Sequence, residues 1–152
     1  MLERVARSVD RHCREAVPDE ALGKLYGYRE VCDGIRYVRV VDWATGEVDA
    51  GPTHARFTDR GVRQCALFLD ERYGDSSSRP VEVGIYHSHP FGVEPHFSSV
   101  DRATFGSFPY DTEGNVYVLV DPVGEWFKVY VFNRGGLEAV EWGLVRPEEI
   151  EG

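Results

Sequence analysis

The sequence predicts a single α/β domain, spanning residues 1–152, in which helices flank a mixed β-sheet. Segments with the periodicity of an amphipathic helix alternate with short runs rich in β-branched and aromatic residues, and the last two such runs follow each other across a short turn. A chain of 152 residues that is 42% hydrophobic and 28% charged has the size and composition expected for one compact core.

The N-terminal part of the chain predicts one helix followed by two strands. Apolar residues recur there every three or four positions, which places them on one helix face: Leu2, Val5, Val9, Cys13 and Val17. Pro18 ends this helix because its ring and its missing N–H do not fit a helix interior. Residues 21–28 and 35–43 are rich in strand-forming side chains, whereas residues 44–53, with Gly, Asp and Pro, predict a connection.

A second helix, a third helix and the remaining strands follow. Thr58 is the expected N-cap of a helix with an apolar face formed by Val62, Cys65, Ala66, Leu69 and Tyr73. Three later apolar runs predict strands, and they cover residues 81–86, 116–120 and 126–132. Ser98 or Ser99 is expected to cap a short helix that ends near Phe105, and the turn DPVGE joins the last two strands.

Charge and cysteine content exclude several classes of function. The 17 Lys and Arg residues against 26 Asp and Glu residues give a formal net charge of −9, which opposes binding to the phosphates of nucleic acid. The three cysteines are odd in number and widely spaced, so they indicate neither a disulfide framework nor a cysteine zinc site. The N-terminus lacks the apolar run of a signal peptide, and no stretch approaches the ~20 apolar residues of a membrane span. We therefore expect a soluble cytoplasmic protein with no membrane partner.

Two histidines stand at the end of the third predicted strand. In the sequence His87-Ser88-His89-Pro90, the two-residue period of a strand directs both imidazoles to one side and Ser88 to the other. Two imidazoles on one side can converge on one metal ion. Alone, however, such a pair is also compatible with ordinary residues at a strand end.

A second motif follows the histidines after a loop. Ser98 and Asp101 have the spacing S-x-x-D, which is also that of a capping box at a helix start. A loop of this length can return a helix N-terminus to the strand end, where Asp101 supplies a third ligand. Two histidines and one carboxylate leave a fourth tetrahedral position for water, as in a catalytic zinc site. The order of the pieces favours this interpretation: an apolar strand, H-x-H-P, a loop and S-x-x-D, with a carboxylate upstream.

These residues resemble the signature of the JAMM metalloproteases, also called MPN-plus, JAB or Mov34-type proteins. The signature is an upstream Glu, then H-x-H and S-x-x-D, and the resemblance spans nearly the whole chain. It implies an MPN/JAB domain, whose architecture is related to that of cytidine deaminases. The deaminase signature of H-x-E with P-C-x-x-C is itself missing from the sequence, which argues against that activity.

The resemblance also implies a role for each site residue. His87, His89 and Asp101 match the ligands of one catalytic Zn²⁺ ion. Glu20, which follows Pro18 and Asp19 just before the first strand, matches the catalytic proton acceptor, and Asp19 is the neighbour that could be confused with it. Ser98 matches the serine that stabilises the tetrahedral intermediate.

The sequence departs from the family pattern in one loop. Eight residues, Pro90 to Phe97, separate His89 from Ser98, where the family commonly has seven. Ser99 is therefore a second candidate for the serine role.

The function implied by the resemblance is that of a zinc metalloprotease or isopeptidase similar to deubiquitinases. The expected substrate is an amide bond after the C-terminal glycine of ubiquitin or of a ubiquitin-like or sulfur-carrier protein, with that protein or its conjugates as partner. Two alternatives remain: a metal-free MPN-type scaffold or interaction domain, and a zinc hydrolase acting on adducts between a carrier protein and a small molecule such as cysteine. The sequence does not predict the oligomeric state.

Overall fold

The computed structural model describes residues 1–94, 96–97, 99–107 and 110–146. Its elements in chain order are α1 (Glu3–Ala16), β1 (Leu22–Cys32), β2 (Ile35–Ala44), β3 (Val48–Gly51), β4 (His54–Phe57), α2 (Asp59–Tyr73), β5 (Val81–Ser88), α3 (Ser99–Phe105), β6 (Val116–Asp121), β7 (Trp126–Asn133) and β8 (Gly136–Ala139). Six strands form one sheet in the order β2-β1-β5-β6-β7-β8, and β3 pairs with β4 in a separate hairpin. Strands β5 and β6 are parallel and the other neighbours are antiparallel. The predicted mixed sheet flanked by helices is confirmed.

Helix α1 packs on one face of the sheet with the apolar residues that the sequence pattern selects. Val5, Val9 and Cys13 are fully buried in a cluster with Tyr86 of β5 and Val118 of β6. The helix ends at Ala16, before Pro18. Helix α1 therefore covers this face of the sheet.

The opposite face of the sheet carries a second core. Ile85, Tyr117 and Leu119 alternate along their strands with the residues that contact α1, so their side chains point the other way. They pack against Phe97 and Phe105, which come from the loop before α3 and from α3 itself. This second core positions α3 beside the end of β5.

Helix α2 begins as the sequence predicts. The N–H of Gly61 donates to Oγ1 of Thr58 at 3.1 Å, which satisfies a backbone donor that the first turn leaves free. Cys65 and Leu69 are buried against Tyr26 of β1.

No helix among the described residues is both long and apolar enough to cross a membrane.

Three strands are missing from the prediction, namely β3, β4 and β8. Each has only four residues, and the expected connection over residues 44–53 contains β3, so that expectation was wrong there. Such short segments form strands because neighbouring backbone supplies the hydrogen bonds, which a sequence pattern does not reveal. Strand β1 also extends past residue 28 to Cys32, where Asp33 and Gly34 make a two-residue turn with positive φ angles of 52° and 76°.

Candidate metal centre

The end of β5 directs two imidazoles to the same side. The ring centroids of His87 and His89 lie 4.9 Å apart at an interplanar angle of 82°. His89 follows the last residue of β5, and its backbone N–H still donates to the carbonyl of Val120 at 2.8 Å. The parallel neighbour β6 therefore fixes the backbone that carries both rings.

Glu20 reaches the imidazoles from the connection between α1 and β1. Its side chain is 3% exposed, with carboxylate oxygens 3.5 Å from Nε2 of His87 and 3.7 Å from Nε2 of His89. The backbone N–H of Glu20 donates to the carbonyl of Gly51 at 2.9 Å, so β3 helps to hold this connection. Asp19, the neighbour considered from the sequence, is only partly buried.

Asp101 reaches the same imidazoles from the first turn of α3. Its carboxylate oxygens lie 3.0 Å from Nε2 of His89 and 3.7 Å from Nε2 of His87. The Asp101 side chain is 15% exposed, more than those of Glu20 and the two histidines. It therefore marks the side from which solvent reaches the centre.

The loop between His89 and α3 carries the extra residue. Phe97 near its end is 4% exposed and packs against Phe105 and Tyr130 at ring distances of 5.8 and 4.8 Å, whereas His96 is exposed. Ser98 lies outside the described residues, so its catalytic role stays a prediction. Ser99, the alternative, begins α3 and is exposed.

Burial perturbs the ionisation of His87 and Glu20. Burial lowers the pKa of His87 to about 4, although the nearby Asp101 carboxylate opposes this shift. Burial also raises the pKa of Glu20 to about 7; the charge of Asp101 contributes in the same direction, while that of His89 opposes it. The His87 ring is therefore neutral near pH 7, with a lone pair available for a metal ion.

The unsatisfied nitrogens of His87 provide a test of whether a metal fits here. Within the described part of the chain, neither Nδ1 nor Nε2 of His87 has a hydrogen-bond partner, and both are buried. An unpaired buried polar atom is costly, and a metal ion at Nε2 would remove part of that cost.

The spacing of the ligand atoms agrees with the same interpretation. The ligand atoms of Glu20, His87 and His89 all lie within 4.8 Å of one another. Tetrahedral ligands at ~2.0–2.1 Å from one zinc ion lie about 3.3–3.4 Å apart, close to the contacts between each carboxylate and the two imidazoles. The buried cluster can therefore bind a metal ion, and both carboxylates lie within 3.7 Å of each imidazole Nε2.

A buried carboxylate that the sequence reasoning missed organises the rim of the centre. Asp121 is fully buried and accepts hydrogen bonds from the N–H groups of Val93 at 3.0 Å and of Val123 and Gly124 at 2.9 Å. It thereby ties the loop after the histidines to the turn between β6 and β7. The half-exposed ring of Phe91 in this loop lies 5.5 Å from His89. The sequence signal was an Asp at the start of a turn, where its side chain commonly accepts from the backbone that follows.

Comparisons with known proteins support the fold and give the family. The solution structure of protein DSY2949 from Desulfitobacterium hafniense is similar, with a TM-score of 0.65 and 24% identity over 95% of this chain and 91% of that chain. At this identity the likeness concerns the fold alone. Comparison with curated proteins gives no match. The family Prok-JAB, described as prokaryotic homologs of the JAB domain, matches residues 2–129. With this match over most of its length, and with the fold and the buried Glu/His/His cluster described above, the chain belongs to the prokaryotic JAB-domain family.

Proposed function

We propose that the protein is a zinc-dependent metallopeptidase that hydrolyses the amide bond after the C-terminal glycine of a ubiquitin-like or sulfur-carrier protein. The observation that carries the proposal is the convergence of two imidazoles and two carboxylates, in which His87 has no hydrogen-bond partner among the described residues. Membership of the JAB-domain family supports it, because that family includes metalloproteases.

In the proposed centre, His87, His89 and Asp101 hold one zinc ion. This ligand set has two nitrogens and one carboxylate oxygen, which is the donor type of catalytic zinc sites. When bound, zinc supplies a Lewis acid and makes water a nucleophile near neutral pH. The partial exposure of Asp101 leaves an approach for substrate on that side.

Glu20 is the proposed general acid and base. It takes a proton from the attacking water and returns it to the leaving amine, which requires a carboxylate within hydrogen-bond reach of that water. The buried Glu20 carboxylate lies 3.5 Å from Nε2 of His87 and 3.7 Å from Nε2 of His89, and this position supports the role. Ser98 is proposed to donate a hydrogen bond to the oxygen of the attacked carbonyl, a contribution worth about 3 kcal/mol in other hydrolases.

The proposed substrate follows from the family, which often acts on ubiquitin-like proteins. The half-exposed Phe91 beside His89 offers an apolar contact to the residues next to the cleaved bond. We place the reaction in the cytoplasm, since all three cysteines are free.

The test is cleavage by the zinc-loaded protein of ubiquitin-like and sulfur-carrier proteins that are extended or conjugated at their C-terminal glycine. We expect mass spectrometry to locate the cut directly after that glycine, and a chelator to abolish it. Hydrolysis of a carrier adduct with cysteine, without cleavage of protein conjugates, would replace this proposal with the adduct hydrolase. A folded protein that takes up no zinc would instead be a scaffold.

A further inference from the structure

Ser88 lies between the two histidines and takes no part in the chemistry proposed above. Its side chain points to the face of the sheet that α1 covers, away from the imidazoles, and it is fully buried. Cys13 of α1 is buried on the same face, and the Ser88 hydroxyl acts to lower the pKa of its thiol against the larger opposing effect of burial. The Ser88 hydroxyl therefore lies on the far side of the sheet from the metal centre.

The same hydroxyl replaces a backbone acceptor where β1 meets β5. In a regular antiparallel pair, two opposite residues exchange both of their N–H···O bonds. Here the N–H of Ser88 donates to the carbonyl of Ala21 at 3.0 Å, but the N–H of Ala21 donates to Oγ of Ser88 at 2.6 Å. The next pair along, Leu22 with His87, is the first within the two strands. The Ser88 side chain thus ends the ladder at the point where the chain turns toward Glu20.

This hydrogen bond holds the peptide group that directly follows the Cα of Glu20. The peptide group that precedes it is held by the bond from the Glu20 N–H to the carbonyl of Gly51 at 2.9 Å. With both flanking peptides fixed, the direction of the Glu20 side chain depends only on its own rotamer. The two hydrogen bonds therefore fix the point from which the Glu20 side chain reaches the two imidazoles.

We propose that Ser88 is a positioning residue for Glu20, acting through the hydrogen bond from the Ala21 N–H to its hydroxyl. The inference rests on the proposed function for its catalytic consequence, but the hydrogen bond itself is testable without any activity. In this proposal the backbone of Ser88 orients the two histidines, and its side chain orients Glu20, the proposed general acid and base.

The first experiment uses metal-free protein and amide hydrogen exchange measured by NMR. We expect the Ala21 amide to exchange about tenfold faster in Ser88→Ala than in the parent, since one hydrogen bond is lost, and to be protected again in Ser88→Thr, which keeps the hydroxyl. Thr45→Val is the matched control, because the Thr45 hydroxyl donates to the carbonyl of Leu22 at 2.7 Å and so also bonds to β1. This control is expected to leave Ala21 protected. An Ala21 amide equally protected in Ser88→Ala and in the parent would overturn the proposal.

The second experiment uses the zinc-loaded protein and a cleaved conjugate. We expect Ser88→Ala to keep its zinc content and KM while kcat falls roughly 10- to 100-fold, with recovery in Ser88→Thr, because a small misplacement of a catalytic group has effects of this size. An unchanged kcat in Ser88→Ala, or an equal loss in Thr45→Val, would refute the positioning role. If the parent cleaves no conjugate, the proposed function fails, whereas the exchange result still decides whether Ser88 holds Ala21. Should Ser88→Thr not fold, Ser88→Ala against Thr45→Val decides the outcome.

Discussion

Oδ2 of Asp101 lies 3.0 Å from Nε2 of His89, and this contact joins the first turn of α3 to the residue that follows β5. Oε2 of Glu20 lies 3.5 Å from Nε2 of His87. Two carboxylates therefore approach the same two rings at distances that suit metal ligation. Their different roles in the proposed mechanism must be separated by experiment, and variants of each do so.

Glu20→Gln is expected to keep the fold and bind about one zinc ion while hydrolysis falls at least ~100-fold. Gln preserves the size and shape of the side chain but does not accept a proton near neutral pH. Zinc content by elemental analysis and cleavage rate should be measured on the same preparation. Asp19→Asn, which changes the neighbouring partly exposed carboxylate, serves as the control and should cleave at the parental rate. Cleavage by Glu20→Gln close to the parental rate would remove Glu20 from the mechanism.

Asp101→Asn and His87→Ala are expected to lose hydrolysis for a different reason than Glu20→Gln, because they bind zinc less tightly. Each removes one of three proposed protein ligands, and two remaining groups hold zinc poorly. We expect zinc affinity to fall at least ~10-fold in each, measured by competition with a chromophoric chelator. His96→Ala is the control, because it replaces an exposed histidine in the loop between His89 and α3. It should bind zinc like the parent. If Asp101→Asn retained full affinity while Glu20→Gln lost it, the assignments of ligand and base would be exchanged.

The stability of the metal-free protein should depend on pH through Glu20. Because burial raises its pKa from 4.5 to about 7, the folded protein keeps this proton to a higher pH than the unfolded chain does. The free energy of unfolding therefore falls as the pH rises between these two values. Glu20→Gln does not lose stability in this way. We therefore expect its free energy of unfolding to exceed that of the parent by ~1–2 kcal/mol at about pH 8 and by nearly nothing at about pH 4. Partial access of water to Glu20 keeps this difference small.

Urea unfolding of both proteins at several pH values measures this difference. Titration of His87 is common to the parent and the variant, so to first order it cancels in the comparison. A constant difference across the pH range would show that the Glu20 carboxyl is not perturbed by folding.

The three cysteines should differ in reactivity in the native protein. Cys13 and Cys65 are buried, and burial raises the pKa of the Cys13 thiol to about 12 and that of Cys65 above its usual value. Cys32 is exposed at the end of β1. Because the thiolate is the reactive form, iodoacetamide should modify Cys32 alone under native conditions and all three cysteines in denaturant. Peptide mass spectrometry identifies the modified sites, and rapid native modification of Cys13 would contradict the packing of α1.

The sequence predicted those parts of the molecule that local patterns specify. The face of α1, the Thr58 cap and the buried run that becomes β5 each follow from residues close together in the chain. The two histidines lie on the same side of the chain because a strand repeats its side-chain direction every two residues, which is a local property. Glu20 is different, since no local pattern connects it with residues so far along the chain, and only the family resemblance selected it.

The remaining features depend on contacts that sequence patterns do not encode. Strand β3 has four residues, yet the carbonyl of Gly51 at its end holds the backbone of Glu20. The register in which Ala21 meets Ser88 is likewise set by pairing across the sheet. Such contacts form only when distant segments pack together, so they can be identified from the structure but not from the sequence.

Asp121→Asn should destabilise the protein and loosen the rim of the centre. The Asp121 carboxylate accepts from three backbone N–H groups, at Val93, Val123 and Gly124, in a fully buried position. Asn offers only one accepting oxygen, and its amide group turns a donor toward a donor, so at least one of these three N–H groups loses its partner. We expect a loss of about 1–3 kcal/mol in the free energy of unfolding by urea. Asp75→Asn removes the same charge at an exposed turn and should change stability by less than ~0.5 kcal/mol. Equal effects from the two variants would mean that Asp121 acts through its charge alone and not through its hydrogen bonds to the loop that carries Phe91.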